Sequence, residues 1–143
     1  MYWSSDWWWG LPLLVLTVVF HVCVFVLIVK ALVLKVRPGK GVRTLAHFIV
    51  AIALTALGAA VLHSLEAAAW GILYIWVGAI PDVPTSMLYS LSAITSYGHS
   101  NIFLEDRWRL LGAIEAMNGL ILFGLTTAFL FAAIDEVRSF RRG

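Results

Sequence analysis

Charge is what this chain has least of. Its 143 residues include ten Lys and Arg and eight Asp and Glu, 13% in all, against 62% hydrophobic side chains, and its mean hydropathy is +0.92. A soluble domain is about one quarter charged and about half apolar. At about 150 residues it also leaves roughly 30% of its unfolded surface in water. Lipid must therefore be the main solvent. Cysteine is nearly missing too: Cys23 stands alone, which excludes an intrachain disulfide and leaves the redox compartment unread. A net charge of +2 is too small for a nucleic-acid surface. The leader MYWSSDWWWG has no basic residue, and no small-residue cleavage site follows the first apolar run. That run is expected to be retained rather than removed as a signal peptide.

What is present is long apolar sequence. A crossing helix needs about 20 apolar residues, so the chain has room for three or four spans and little else. Residues 11–29 form a first run whose only polar side chains are Thr17 and His21. A basic Pro/Gly turn follows at 37–43, then a second run at 45–62 with small residues suited to close helix packing or to lipid. A third run covers 110–134 and contains Glu115 and Asn118. Residues 67–80 are apolar for only about 14 positions, too few to cross alone. They either continue the second helix or lie at the interface, with Trp70, Tyr74 and Trp76 as anchors. Pro81-Asp82-Val83-Pro84 ends that stretch, and Pro84 suits the first position of a short helix over 85–94. At about 10 residues this helix has a re-entrant length rather than a spanning one. A polar loop, 95–101, and the charged stretch 105–109 lead into the third run.

Basic residues set the expected orientation. Eight of the ten, namely Lys30, Lys35, Arg37, Lys40 and Arg43 with Arg138, Arg141 and Arg142, fall on one side only if three spans are combined with a loop that returns to its own side. The N-terminus, with Trp3, Trp7, Trp8 and Trp9 as an interfacial anchor, is then outside, and the C-terminus is cytoplasmic. Irregular backbone at membrane depth is tolerated only where protein or an aqueous cavity surrounds it. A helix–loop–helix of this kind suggests a pore, with the short helix aiming its partly negative C-terminal end at a cation shedding water.

Residues 86–134 resemble the pore module of the small two-helix potassium channel superfamily, particularly short bacterial ion-channel proteins with an additional N-terminal helix. Ser86-Met87-Leu88-Tyr89-Ser90-Leu91 is similar to the pore helix often written ALYFSL. Arg107-Trp108-Arg109-Leu110-Leu111-Gly112, Glu115-Ala116, Asn118-Gly119 and Phe123-Gly124-Leu125-Thr126-Thr127-Ala128 are similar to the inner helix without gaps. The resemblance implies an all-α membrane protein with three transmembrane helices, a re-entrant pore helix and filter loop between the second and third, and a homotetramer around a central pore. It divides the chain into an N-terminal anchor, first helix and basic turn over 1–43 and a pore module over 44–143. It implies a monovalent cation, K+ by kinship, as permeant ion, with no cofactor, no metal and no catalysis. It also implies location in a bacterial cell membrane. Gly119 takes the position of a gating hinge.

The filter departs from the family. The pattern T-T-x-G-Y-G-D aligns with Thr95, Ser96, Tyr97, Gly98, His99, Ser100 and Asn101, so His99, Ser100 and Asn101 replace tyrosine, the second glycine and the aspartate. Glycines let filter carbonyls line up in conformations other residues resist, and Ser100 at positive φ would be strained. Strict potassium selectivity is not expected from these residues. A nonconducting scaffold or sensor with a collapsed filter is the alternative. His99 either rings the outer mouth, repelling cations when protonated, or turns behind the filter to bond hydroxyls. Below it, Leu120, Phe123, Thr127 and Phe131 share one helical face, which the resemblance makes pore-lining.

Glu115 precedes Leu120 by about 500° of helical rotation, pointing away from that stripe. It is expected to support the filter from behind, with Asn101, bonded to the pore helix or to His63. His63 and Glu66 stand one turn apart as a conceivable metal pair, but no third ligand is evident, and polar residues at an interface are the simpler reading. A transporter would call for internal repeats or broken spans. A hydrolase would call for a nucleophile with its base. Neither pattern is present. Nine residues follow Ile134, so no cytoplasmic ligand domain is expected, and the first helix has none of the arginines of a voltage sensor.

Overall fold

The computed structural model describes residues 3–35, 42–98 and 101–142. Four helices account for most of them: α1 (Trp3–Lys35), α2 (Val42–Trp76), α3 (Val83–Ile94) and α4 (Arg109–Arg142), the last preceded by a 3₁₀ turn at Asp106–Trp108. Three are long and apolar enough to cross a membrane, over Ser5–Ala31, Ile49–Trp76 and Asp106–Asp135. Helices are what such sequence must form in lipid, because every backbone N–H and C=O needs a partner within its own segment.

α1 begins earlier than its apolar run suggests. The tryptophan-rich leader is already helical, and Pro12 sits inside the helix without ending it. α2 continues unbroken through 67–76, which decides between the two expectations for that stretch. As a result Trp70 and Tyr74 are fully buried rather than interfacial, and only Trp76 keeps an exposed ring. It meets Trp9 of α1 edge-on at 4.6 Å between ring centres.

Gly78 stops α2. It adopts φ +72°, its N–H donates to the Ile75 carbonyl, and the Ala79 N–H reaches back to Tyr74. This is a Schellman end, which favours glycine because its left-handed conformation is costly for other residues. α3 then starts on Asp82, whose Oδ1 accepts the Thr85 N–H at 2.9 Å. Pro84 occupies the second helical position, one place later than the sequence suggests.

α3 runs back along the end of α2. Ser86 Oγ donates to the Gly71 carbonyl and Ser90 Oγ to the Ala67 carbonyl, both at 2.6 Å. Its other side meets α4 so closely that a Cβ on Gly119 would overlap the Ile94 carbonyl. Small residues permit such backbone approach in membrane bundles. Gly119 lies about 20 Å along the Asp106–Asp135 span, near its middle, at 1.5 Å per residue. The C-terminal end of α3 is therefore level with the centre of that span.

α1 packs chiefly along α4. Its inward stripe is Asp6, Gly10, Thr17, His21 and Phe25. The core divides into an aromatic cluster around α3 (Trp70, Tyr74, Tyr89, Trp108, Leu111), a middle cluster (Ala67, Ile94, Leu122) and a far cluster (Phe25, Ala59, Leu62). Outward faces are apolar, with Trp8, Leu16, Leu27, Leu57 and Ile72 among the exposed residues. That is the surface lipid contact requires.

Candidate functional site

Among the described residues, polar chemistry gathers at the loop after α3 and around the buried carboxyls of Glu115 and Glu66, with a third buried carboxyl, Asp6, near the start of α1. The loop starts at Thr95, which caps α3 and donates from Oγ1 to the Leu91 carbonyl at 2.5 Å. Ser96 takes φ +55° and Gly98 φ +87°, so left-handed backbone occurs at two positions, one of them not glycine. The Ser96 N–H bonds to Ala93 and the Gly98 N–H to Ser92. Tyr97 is 87% exposed and Asn101 is exposed. His99 and Ser100, where the departures from the channel pattern concentrate, lie outside the described residues.

On α4, Leu120, Phe123, Thr127 and Phe131 all belong to the outward-facing side of the helix. Thr127 Oγ1 bonds the Phe123 carbonyl at 2.9 Å. Gly119 is buried inside a continuous helix, where its missing Cβ admits Ile94.

Glu115 is wholly buried. Tyr74 Oη donates to its Oε2 at 2.6 Å, and Ser90 Oγ of α3 bonds to its Oε1. The carboxyl thus ties α2, α3 and α4 together behind the loop. Of the two partners considered for Glu115, the short helix is present and His63 is not; the Tyr74 contact has no counterpart in the sequence reading. Ser90 Oγ is also within bonding distance of the Ala67 carbonyl. A hydroxyl has one proton to give, so Ser90 serves both only when the Glu115 carboxyl supplies the second proton.

The other carboxylate, Glu66, is the residue next to Ala67, the Ser90 contact on α2, and faces α1. His21 Nδ1 lies 2.8 Å from its Oε1, and His63 Nδ1 lies 3.1 Å from its Oε2. Both imidazoles turn their Nε2 atoms to one hydroxyl, Thr126 Oγ1 of α4, at 3.0 Å for His21 and 3.1 Å for His63. His21 is the third group that was not evident beside the His63/Glu66 pair. The three ligand atoms lie within 4.8 Å of one another and all three residues are buried. A line of signal existed in the sequence: Asp6, Thr17 and His21 are spaced to share one face of α1, and all three find partners inside. Asp6 Oδ2 accepts the Leu111 N–H at 3.1 Å, and Asn118 Nδ2 donates to Thr17 Oγ1 at 2.8 Å.

No family model, curated protein or solved structure matches the chain. What stands is a small all-α protein with three helices fit to span a membrane.

Proposed function

We propose that the chain is the pore-forming subunit of a homotetrameric channel for monovalent cations, built like a potassium channel pore with an added N-terminal helix. The observation that carries this reading is α3. It is a short helix whose C-terminal end lies level with the middle of the Asp106–Asp135 span and opens into a loop with left-handed backbone at Ser96 and Gly98. Such a loop belongs beside an aqueous cavity rather than lipid. Four such helix ends around an axis would aim partial negative charge at one point, where a dehydrating cation is stabilised.

In this reading residues 44–143 are the pore module and 1–43 the anchor. Thr95, Ser96, Tyr97, Gly98, His99 and Ser100 form the filter, supported by Glu115 and Asn101. Leu120, Phe123, Thr127 and Phe131 line the conduit, and Gly119 takes the hinge position of the family. The N-terminus and filter face outward and the basic C-terminus faces the cytoplasm. No step of catalysis is assigned to any residue.

The test is flux from liposomes reconstituted with purified protein under potassium, sodium or chloride gradients, repeated with the filter segment restored to TLGYGD. Cation flux through both proteins supports a working channel with altered selectivity. Flux only after restoration supports a channel fold whose own filter is collapsed. Flux through neither, from intact tetramers, overturns the pore reading.

A further inference from the structure

With both imidazoles neutral and Glu66 ionised, the ring formed by Glu66, His21, Thr126 and His63 is one proton short of a bond at every contact. Two neutral imidazoles bring one N–H each and the threonine hydroxyl brings one more. Those three protons make three bonds in a consistent direction. His21 Nδ1–H donates to Glu66 Oε1, Thr126 O–H donates to His21 Nε2, and His63 Nε2–H donates to Thr126 Oγ1. His63 Nδ1 is then left as a bare lone pair 3.1 Å from Glu66 Oε2. The two atoms lack hydrogen-bond geometry, and both are buried with no other partner. Two acceptors facing each other inside a membrane bundle are unfavourable unless something positive lies between them.

The donor set says what that is. We propose that His21, His63 and Glu66 bind a divalent first-row transition-metal cation, best matched by Zn2+, which staples α1 to α2. Two imidazole nitrogens and a carboxylate are a recurring zinc triad with a fourth position left open. With both Nδ1 atoms and the carboxylate turned to the ion, both histidines carry their proton on Nε2 and donate it to Thr126 Oγ1, whose two lone pairs accept both. Fixing the distal ring nitrogen in this way is the usual second layer of a histidine metal site. Ligand atoms around a tetrahedral zinc stand about 3.3 Å apart for bonds of about 2.0 to 2.1 Å. The nitrogen–oxygen separations here are 2.8 Å to Oε1 and 3.1 Å to Oε2, and one ligand atom from each residue lies within 4.8 Å of the others, so the two rings close in on the ion when it binds. Entry is past His63, the most exposed of the three ligands, whose ring is stacked on Phe123 at 4.5 Å. Thr126 is a positioning residue in this site. The inference stands on these side chains alone and is independent of the pore reading.

The test uses the full-length protein purified in detergent, stripped with chelator and then titrated with ZnCl2 or CoCl2. Bound metal is measured by elemental analysis, and cobalt coordination by its visible ligand-field band. The expected result is about one ion per chain and a cobalt band of tetrahedral type. His63→Gln should lose the band. Thr126→Val should keep it while weakening affinity about 10- to 100-fold, with Thr126→Ser restoring it. The wild-type titration needs no variant to fold. Absence of both bound zinc and a cobalt band in wild type overturns the proposal, leaving a proton to close the ring. A band that survives unchanged in folded His63→Gln also overturns it.

Discussion

Glu115 and Glu66 are both buried carboxylates in one bundle, yet their surroundings differ in kind. Glu115 is met by two hydroxyls, from Tyr74 and Ser90. Glu66 is met by two imidazoles, which are themselves bridged by Thr126. Hydroxyls can close a hydrogen-bond network with one added proton and are poor ligands for transition metals, whereas imidazoles are good ones. The same acidic side chain therefore serves as a tether in one place and as part of a cation site in the other.

The sharpest way to break this comparison is at Glu115. Removing the carboxyl in Glu115→Ala strands the buried Tyr74 hydroxyl, at about 1 to 3 kcal/mol, and leaves a cavity while Ser90 keeps the Ala67 carbonyl, so thermal unfolding in detergent should show a loss of about 3 kcal/mol. Glu115→Gln should cost under about 1 kcal/mol, because its amide donates where the protonated carboxyl does and leaves Ser90 free to reach Ala67. Equal losses in the two variants would mean that the site needs a charge, as a metal site does.

The next effect is steric. Gly119→Ala drives a Cβ into the Ile94 carbonyl and should cost about 2 kcal/mol by overpacking. Gly124→Ala, where nothing lies near, should be neutral or stabilising by about 0.5 to 1 kcal/mol from helix propensity. If the two behave alike in a melting experiment, α3 is not seated against α4 as described.

A smaller difference separates neighbouring threonines. Thr126→Val loses the bridge between two imidazoles and should cost about 1 to 2 kcal/mol in unfolding free energy. Thr127→Val loses only an exposed bond to its own helix and should stay within about 0.5 kcal/mol. The smallest effect is at Asp82, whose carboxyl the Thr85 N–H holds below the usual aspartate range. Its contribution is complete above the unfolded-state value and disappears as pH falls through the lowered folded value. In Asp82→Asn, stability measured down an acid series should lose that small decline.

The helices were readable because lipid imposes a length, and run lengths survive translation into structure. The start of α3 was readable to within two residues because Pro84 suits a first helical turn, whereas the Asp82 cap ahead of it was not. Its docking partner was half readable: Glu115 pointed away from the outward stripe, but nothing local linked it to Tyr74, which read as an interfacial ring. The α2 stop at Gly78 was hidden in an apolar stretch where glycine resembles one more small residue. His21 stands out in its apolar run, but its role is invisible locally, because its partners are on other helices, 45 residues away at Glu66 and 105 at Thr126. Periodicity places a residue on a face but does not say which face meets which. For the loop, the sequence located unusual residues, and the left-handed serine at 96 had no signal of its own.

The inward stripe of α1 has a consequence for how the protein is made. Asp6, Thr17 and His21 all bond to residues of α4, at Leu111, Asn118 and Thr126, more than 100 positions later. A ribosome adding about 5 to 20 residues per second needs roughly 5 to 20 seconds to cover that distance. For that interval α1 has been synthesised but its polar partners on α4 have not. Thr17 can meanwhile use the Leu14 carbonyl of its own helix and His21 gains Glu66 once α2 follows, but Asp6 must be shielded by the insertion machinery, by water at the interface, or by a neighbouring nascent helix. The last helix to emerge is the one that makes the first fit to remain in lipid.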